Sequence, residues 1–227
     1  MANLQLYEYL LQFPLFLGMS RDNLAQVAGH TRFGFQKYQP GQTVASDGDD
    51  CKQLFFLLSG TLQIETCSDE KTYRVVENVS APYMIQPEAI FGYHQRFTHE
   101  FSALTESSFI TIDKSEVMRL SEEFLVFRLN LLNVFATQTQ KKQQITWQPC
   151  PKSLRERIIR FFCQHCCSPS GSKTFYILMS QLANEVGDSR LDVSRVLNQL
   201  QREGLLLLHR GRTEIPLLEC LITSETH

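Results

Sequence analysis

A chain of 227 residues with 43% hydrophobic residues can bury ordinary globular cores and is expected to form one or two domains. Its formal net charge of −2 excludes a general nucleic-acid scavenger, and no apolar run approaches the ~20 residues that a membrane span needs. Seven cysteines, an odd number, and no basic and apolar leader in Met1-Ala-Asn-Leu-Gln-Leu-Tyr-Glu8 fit a cytoplasmic protein with reduced thiols.

Residues 5–30 read as helical, with Ser20 placed to cap Asn23-Leu-Ala-Gln-Val-Ala-Gly-His30. From Phe33 the period changes. Turns at Pro40-Gly41, Asp47-Gly48 and Ser59-Gly60 separate the short apolar runs Thr43–Ala45, Leu54–Leu58 and Leu62–Glu65, and Tyr73–Val79 and Phe109–Ile112 continue the pattern. Short strands at such close spacing predict a small antiparallel barrel or sandwich over residues 1–120. Asp113-Lys-Ser-Glu116 is a capping box that returns the chain to helix.

A long helix is predicted from about Ser121 to Ile145. Leu125, Leu129, Leu132 and Ala136 follow 4-3-4 steps, close to a coiled-coil seam, while Phe124, Phe127, Leu131 and Phe135 lie off it. One face should therefore pack on the barrel and the other on a second copy of the chain. Gln148-Pro-Cys-Pro151 breaks the helix, since neither proline permits its continuation. This puts a dimerisation helix and hinge at 121–147 and a further domain at 148–227. Ser153-Leu-Arg-Glu156 opens a helix running to about Cys167, and Ser168-Pro-Ser-Gly-Ser172 is a loop.

The segment 180–204 carries the most information. It reads as a short helix, a turn at Gly187 and a longer helix opened by the capping box Ser189-Arg-Leu-Asp192 and ended by Gly204. Val193, Val196, Leu197 and Leu200 form one apolar stripe. Leu191, Ser194, Arg195, Asn198 and Arg202 face the other way, with Arg190 beside them. Leu205–Pro216 then forms two short strands around Arg210-Gly211-Arg212. A helix that buries one stripe and shows arginines and small polar groups near its N-terminus can enter the DNA major groove. Ser189, Arg190, Leu191, Ser194, Arg195 and Asn198 are expected to face DNA, and the wing arginines Arg210 and Arg212 to contact phosphates. Charge agrees: residues 147–227 hold ten Lys/Arg against eight acids, residues 1–146 twelve against sixteen. An acidic front and a basic back suit a sensor joined to a DNA reader.

Taken together, Pro40-Gly41, Gly48-Asp49, Phe55-Phe-Leu-Leu-Ser-Gly60, Ala103-Leu-Thr-Glu-Ser107 and the 180–204 motif resemble the Crp/Fnr family of bacterial transcription regulators over nearly the whole chain. The resemblance implies an α+β fold: an N-terminal antiparallel β-barrel of the cyclic-nucleotide-binding kind (a double-stranded β-helix), a long dimerisation helix and a C-terminal winged helix-turn-helix. It implies a homodimer on a pseudo-palindromic operator of double-stranded DNA, with RNA polymerase as a further partner and control through the long helix. Ser189, Arg190, Leu191 and Arg195 match the positions from which members touch bases. Leu191 departs from the glutamate of well-known members; it cannot accept from a cytosine amine and is expected to favour a thymine methyl or no base.

The sensor departs further. Cyclic-nucleotide binders carry glycine-glutamate after Phe and then an arginine-serine pair for the cyclic phosphate. Here Phe91-Gly92 leads into Tyr93, Phe97-Thr98 stands at the pair, and the stretch from Gly92 to Ala103 is shortened. These residues argue against a cyclic nucleotide and leave the effector unknown, with Tyr93, His94, Arg96 and Thr98 as candidate effector contacts. Iron–sulfur sensing of the Fnr type needs an N-terminal cysteine cluster, and residues 1–50 hold no cysteine. For haem, His94 or His99 could ligate, but no motif supports either.

Cys163, Cys166 and Cys167 would share a helical face, a pattern that small buried residues explain better than a zinc site, which needs a further ligand at other spacing. The six histidines, at 30, 94, 99, 165, 209 and 227, form no pair suited to a cupin oxygenase. No cofactor, metal or catalytic set is expected. The competing expectation is a non-catalytic small-molecule-binding module whose winged helix engages a protein, and the polar face of the second helix weighs against it.

Overall fold

A computed structural model describes residues 2–146 and 149–224. The expected boundary at 147/148, with Gln148 of the hinge, lies outside the described residues, as do Met1 and His227. Contacts divide the chain into two units, residues 1–62 with 79–147 and residues 63–78 with 148–227. This differs from the expected partition in two respects. The 121–147 segment belongs with the first unit, and a hairpin from the middle of the β region belongs with the C-terminal one.

The first unit opens with α1 (Ala2–Leu10), a 3-10 turn at Pro14–Phe16 and α2 (Arg21–His30). Ser20 caps α2, its Oγ accepting from the Asn23 amide at 3.2 Å. The strands that follow are β1 (Phe33–Tyr38), β2 (Thr43–Ala45), β3 (Gln53–Ser59), β4 (Thr61–Cys67), β5 (Arg74–Ser80), β6 (Tyr83–Ile85), β7 (Glu100–Ala103) and β8 (Ser107–Asp113). β1, β8, β3 and β6 form one antiparallel sheet in that order, and β2 pairs with β7. The sheets keep open edges and do not close as a barrel.

Burial on both sides explains the unbroken apolar run of β3. Phe56 meets Phe13 on the helical side at 5.0 Å between ring centroids, whereas Phe55 faces Phe97 and Phe109 on the other side at 6.1 and 6.2 Å. Gly60 turns the chain at φ +103, where a Cβ would lie 2.6 Å from the Glu106 carbonyl oxygen. That fit accounts for the glycine of Leu57-Leu-Ser-Gly60.

α3 (Lys114–Glu123) ends at Phe124, whose extended backbone separates it from α4 (Leu125–Thr146). The long helix thus starts four residues later than its pattern predicts, because Phe124 leaves helical geometry and is buried. The capping box at Asp113 does not form: Asp113 makes no side-chain cap, and Glu116 instead takes Arg119 at 2.7 Å. Phe124, Phe127 and Leu131 are buried, Phe16 meets Phe127 at 5.5 Å, and Asn130 donates to the carbonyls of Leu15 and Leu17. The inner face of α4 therefore packs as expected.

The second unit joins the hairpin to α5 (Leu154–Gln164), β9 (Lys173–Tyr176), α6 (Met179–Val186), α7 (Arg190–Arg202), β10 (Leu207–His209), β11 (Arg212–Ile215) and α8 (Leu218–Thr223). Ser153 caps α5, accepting from the Glu156 amide at 3.1 Å. Its strands run in the order β10-β11-β9-β5-β4. β9, absent from the sequence reading, pairs antiparallel with β5, with Val75 opposite Phe175 and Glu77 opposite Lys173. That last pair is buried, Nζ to carboxylate 2.6 Å. Glu77 also accepts the amides of Cys167 at 2.6 Å and Ser168 at 3.1 Å. Around it, Tyr73 bonds His165 at 2.9 Å, the Arg74 guanidinium lies 4.5 Å over the Tyr176 ring, and Phe162 meets Phe175 at 4.6 Å.

α5 stops at Gln164, short of the predicted Cys167, so Cys166 and Cys167 sit in the following turn and do not share a helical face with Cys163. Burial pushes the Cys166 thiol up, which makes it a poor thiolate.

Removing one partner of the buried pair leaves a charge without compensation. Lys173→Met should destabilise the full chain by about 3–5 kcal/mol, and adding Glu77→Gln should recover much of that loss. Denaturant unfolding of the two variants measures both steps; equal stability of Lys173→Met and the unmodified chain would contradict this account.

Candidate nucleic-acid interface

The helix-turn-helix is built from its local chemistry outward. α6 ends at Gly187, φ +65, and the Asp188 amide reaches back to the Ala183 carbonyl at 3.0 Å. Ser189 caps α7, its Oγ accepting from the Asp192 amide at 3.1 Å and donating to Asp192 Oδ2 at 2.6 Å. The Ser189 half of the expected capping box forms, but the reciprocal half does not: Asp192 accepts the Ser189 hydroxyl, and the Ser189 amide donates to Asp188 Oδ1 at 2.7 Å instead. Val193, Leu197 and Leu200 are buried, Val196 is half-buried, and the stripe packs with Phe162, Phe175 and Leu206.

Opposite that stripe, Ser189, Arg190, Leu191, Arg195 and Asn198 are exposed and Ser194 half-buried, so the second helix brings all six predicted residues to one surface. Leu191, at 62% exposure, is an apolar group with no core to fill. Arg195 donates to Asp192 Oδ1 at 2.9 Å, and Asn198 to the Ser194 carbonyl at 2.7 Å.

The two wing arginines part company. Arg210 is exposed at the tip, whereas Arg212 is half-buried and paired with Glu214 at 2.8 Å. Its Nε has no hydrogen-bond partner among the described residues.

Two ion pairs that the sequence reading did not find hold α7 at its ends. Arg155 grips Glu203 with two donors, at 3.1 and 2.7 Å, and Arg157 bonds Asp188 in the turn. Both arginines lie on α5. No spacing rule links residues 31 and 48 positions apart, so the sequence held no signal for them.

The candidate effector residues take different partners. Tyr93 and His94 form an exposed edge-to-face pair at 4.6 Å, and Arg96 lies 3.5 Å from Asp50. Thr98 is held by Gln86, its amide donating to Oε1 at 3.1 Å and its Oγ1 accepting from Nε2 at 2.8 Å. Phe97, between them, turns inward, 3% exposed, against Phe55 and Phe101. Among the described residues no group of three or more His, Cys, Asp or Glu is placed to hold a metal ion.

Residues 35–124 match the family model of the cyclic nucleotide-binding domain, and residues 156–222 that of the Crp-like helix-turn-helix domain. The chain belongs to the Crp/Fnr family. The fumarate and nitrate reduction regulatory protein of Escherichia coli K12 is 26% identical over 180 residues, covering 74% of this chain and 69% of that relative.

Among solved structures, the catabolite activator protein of Thermus thermophilus aligns with a TM-score of 0.52 at 19% identity, over 92% of this chain and 97% of that one. A Crp/Fnr regulator from Eubacterium rectale aligns at 0.53 and 21%, over 95% and 99%. These two show the shared fold. This Crp/Fnr chain is a transcription regulator with a DNA-binding helix-turn-helix, as its family models and relatives establish. Among the described residues no helix is long and apolar enough to cross a membrane.

The Arg155 guanidinium beside Glu203 holds that carboxyl below the usual glutamate range. The stabilisation is complete above the ordinary value of about 4.3 and is lost as pH falls through the lower folded value. Arg155→Met should therefore lower the denaturation midpoint by a constant amount from pH 7 to about pH 5, and by a shrinking amount below about pH 4. A deficit that stays constant into acid would show that the contact acts through packing instead.

Proposed function

We propose that this regulator acts as a homodimer that recognises a pseudo-palindromic DNA operator and does so without a cyclic nucleotide. The observation that carries the reading is α7, which buries Val193, Leu197 and Leu200 and presents Arg190, Leu191, Ser194, Arg195 and Asn198 to solvent. Arg195 can make a bidentate contact to guanine O6 and N7, Leu191 can contact a thymine methyl, and Arg210 can reach a phosphate. Arg212 can join it once its pairing with Glu214 is exchanged.

Dimerisation is supported by the outer face of α4. Leu125, Leu129 and Leu132 are 57%, 49% and 57% exposed, and Ala136 is exposed beside them at the same 4-3-4 spacing. A second copy of the helix covers this stripe, and two-fold symmetry then sets the α7 helices about 34 Å apart, one DNA turn. The protein works in the cytoplasm, with RNA polymerase as a further partner on the DNA.

Independence from cyclic nucleotide is supported by chemistry at the phosphate position. An aromatic side chain, Phe97, fills the interior, and Thr98 is engaged by Gln86. Tyr93 replaces the ribose-binding carboxylate that the family's cyclic-nucleotide binders carry. Arg96, the arginine nearest in sequence, is exposed and paired with Asp50 at 3.5 Å.

Selection from a random duplex library without added effector should return a two-fold symmetric site with half-sites about 10–11 bp apart. Arg195→Ala should relax one base position in each half-site, and Arg210→Ala should weaken binding to all sequences and flatten its salt dependence. Recovery of only salt-sensitive, sequence-blind binding, with and without a cyclic nucleotide, would overturn recognition of an operator by this chain alone.

In sedimentation, the chain of 26.2 kDa should run at twice its mass and Leu129→Glu at its own. A monomeric unmodified chain would remove α4 as the dimer contact.

A further inference from the structure

The base-reading arginine is not free in this chain. Asp192 Oδ1 takes Arg195 Nη1 at 2.9 Å, while its other oxygen, Oδ2, takes the Ser189 hydroxyl at 2.6 Å. The Ser189 hydroxyl oxygen in turn accepts the Asp192 amide at 3.1 Å, and the Ser189 amide donates to Asp188 Oδ1 at 2.7 Å. The second oxygen of Asp188 takes Arg157 of α5. A continuous polar chain therefore runs from α5 through the turn and the helix cap to the guanidinium that faces solvent. Both carboxylates along it have both oxygens engaged, so neither can rotate without losing a partner.

We propose that Asp192 is a positioning residue for base recognition, holding the Arg195 guanidinium in the orientation that reads one base, with Arg157 and Asp188 as its anchor. This rests on the reading of Arg195 as a base contact. Side-chain Arg195 is 70% exposed and Asp192 45%, so their ion pair contributes little to folding. On DNA the same pair is desolvated, and its charge-assisted hydrogen bond strengthens.

An arginine already restrained loses less rotamer freedom when it docks, and its remaining N–H groups point one way. Discrimination between bases depends on that geometry, because a guanidinium free to swing can satisfy itself on a phosphate or on a neighbouring base. Asp192 thus acts on specificity more than on affinity. Its negative charge at the DNA-facing end of α7 makes binding to any phosphate backbone slightly weaker.

The experiment compares the unmodified chain, Arg195→Ala, Asp192→Asn and Asp192→Glu in duplex selection followed by titration of matched and single-base-changed sites. Arg195→Ala identifies the position that Arg195 reads. Asp192→Asn keeps size and can still accept the Ser189 hydroxyl, so its melting temperature should move by no more than about 2–4 °C. It should lose preference at that same position by about tenfold, with binding to scrambled DNA unchanged or tighter. Asp192→Glu, which restores the charge on a longer stem, should recover part of the preference.

Full preference in Asp192→Asn while Arg195→Ala relaxes the position overturns the positioning role. Sharper preference in Asp192→Asn also overturns it, since the carboxylate then competes with DNA for the arginine. If Arg195→Ala relaxes no position, Arg195 is not the base reader and the role of Asp192 falls with it. That outcome is distinct from the other two.

Discussion

The C-terminal unit depends on one buried ion pair. Glu77 and Lys173 stand opposite each other in the β5–β9 ladder, both 1% exposed. Burying two charges costs several kcal/mol each unless hydrogen bonds compensate. Here the carboxylate accepts from the Lys173 ammonium and from the amides of Cys167 and Ser168. Satisfying those amides fixes the turn after α5, and pairing Lys173 fixes the start of β9. β9 then carries β11, the second strand of the wing, through Thr213 opposite Phe175.

This arrangement gives the hairpin 63–78 a double allegiance. In sequence it lies inside the stretch matched by the cyclic nucleotide-binding model, and by contacts it belongs with the helix-turn-helix. Val75 joins the core that buries α7, and Gln181 of α6 donates to the Thr72 carbonyl at the hairpin turn. Within this one compact unit α7 therefore rests partly on the hairpin 63–78. Its two ends are strapped separately, by Arg157 to Asp188 and by Arg155 to Glu203. A helix fixed at its base and both ends presents its outer side chains in a defined orientation, which base reading requires.

The elements with strong local periodicity were legible from the chain alone. The α7 stripe, the Ser189 cap, the Gly187 turn and the wing tip all follow from interactions within a few residues, and the structure places them as their spacing indicates. The inner and outer faces of α4 were separable for the same reason. Where the reading failed, a distant contact had overruled a local pattern. Glu116 gave up its cap for Arg119. The helix break at Phe124 went unseen because a buried phenylalanine carries no breaking signal. β9 was missed because Lys173-Thr-Phe-Tyr176 is short and begins with a lysine, which reads as exposed until Glu77 is placed opposite it.

By itself the sequence determined the kind of protein: a DNA-binding helix-turn-helix joined to a β-rich module. Those properties rest on periodicity, caps and residue identity, which are local and need no coordinates. Only the tertiary structure decided that the hairpin groups with the helix-turn-helix, that Arg210 is exposed while Arg212 is engaged, that Phe97 fills the interior, and that Arg195 is tied through Asp192 to a distant helix. Each of these depends on which side chains meet across tens of positions in the chain. Pairing of that kind is set by packing and by the need to satisfy buried charge, which no local pattern encodes.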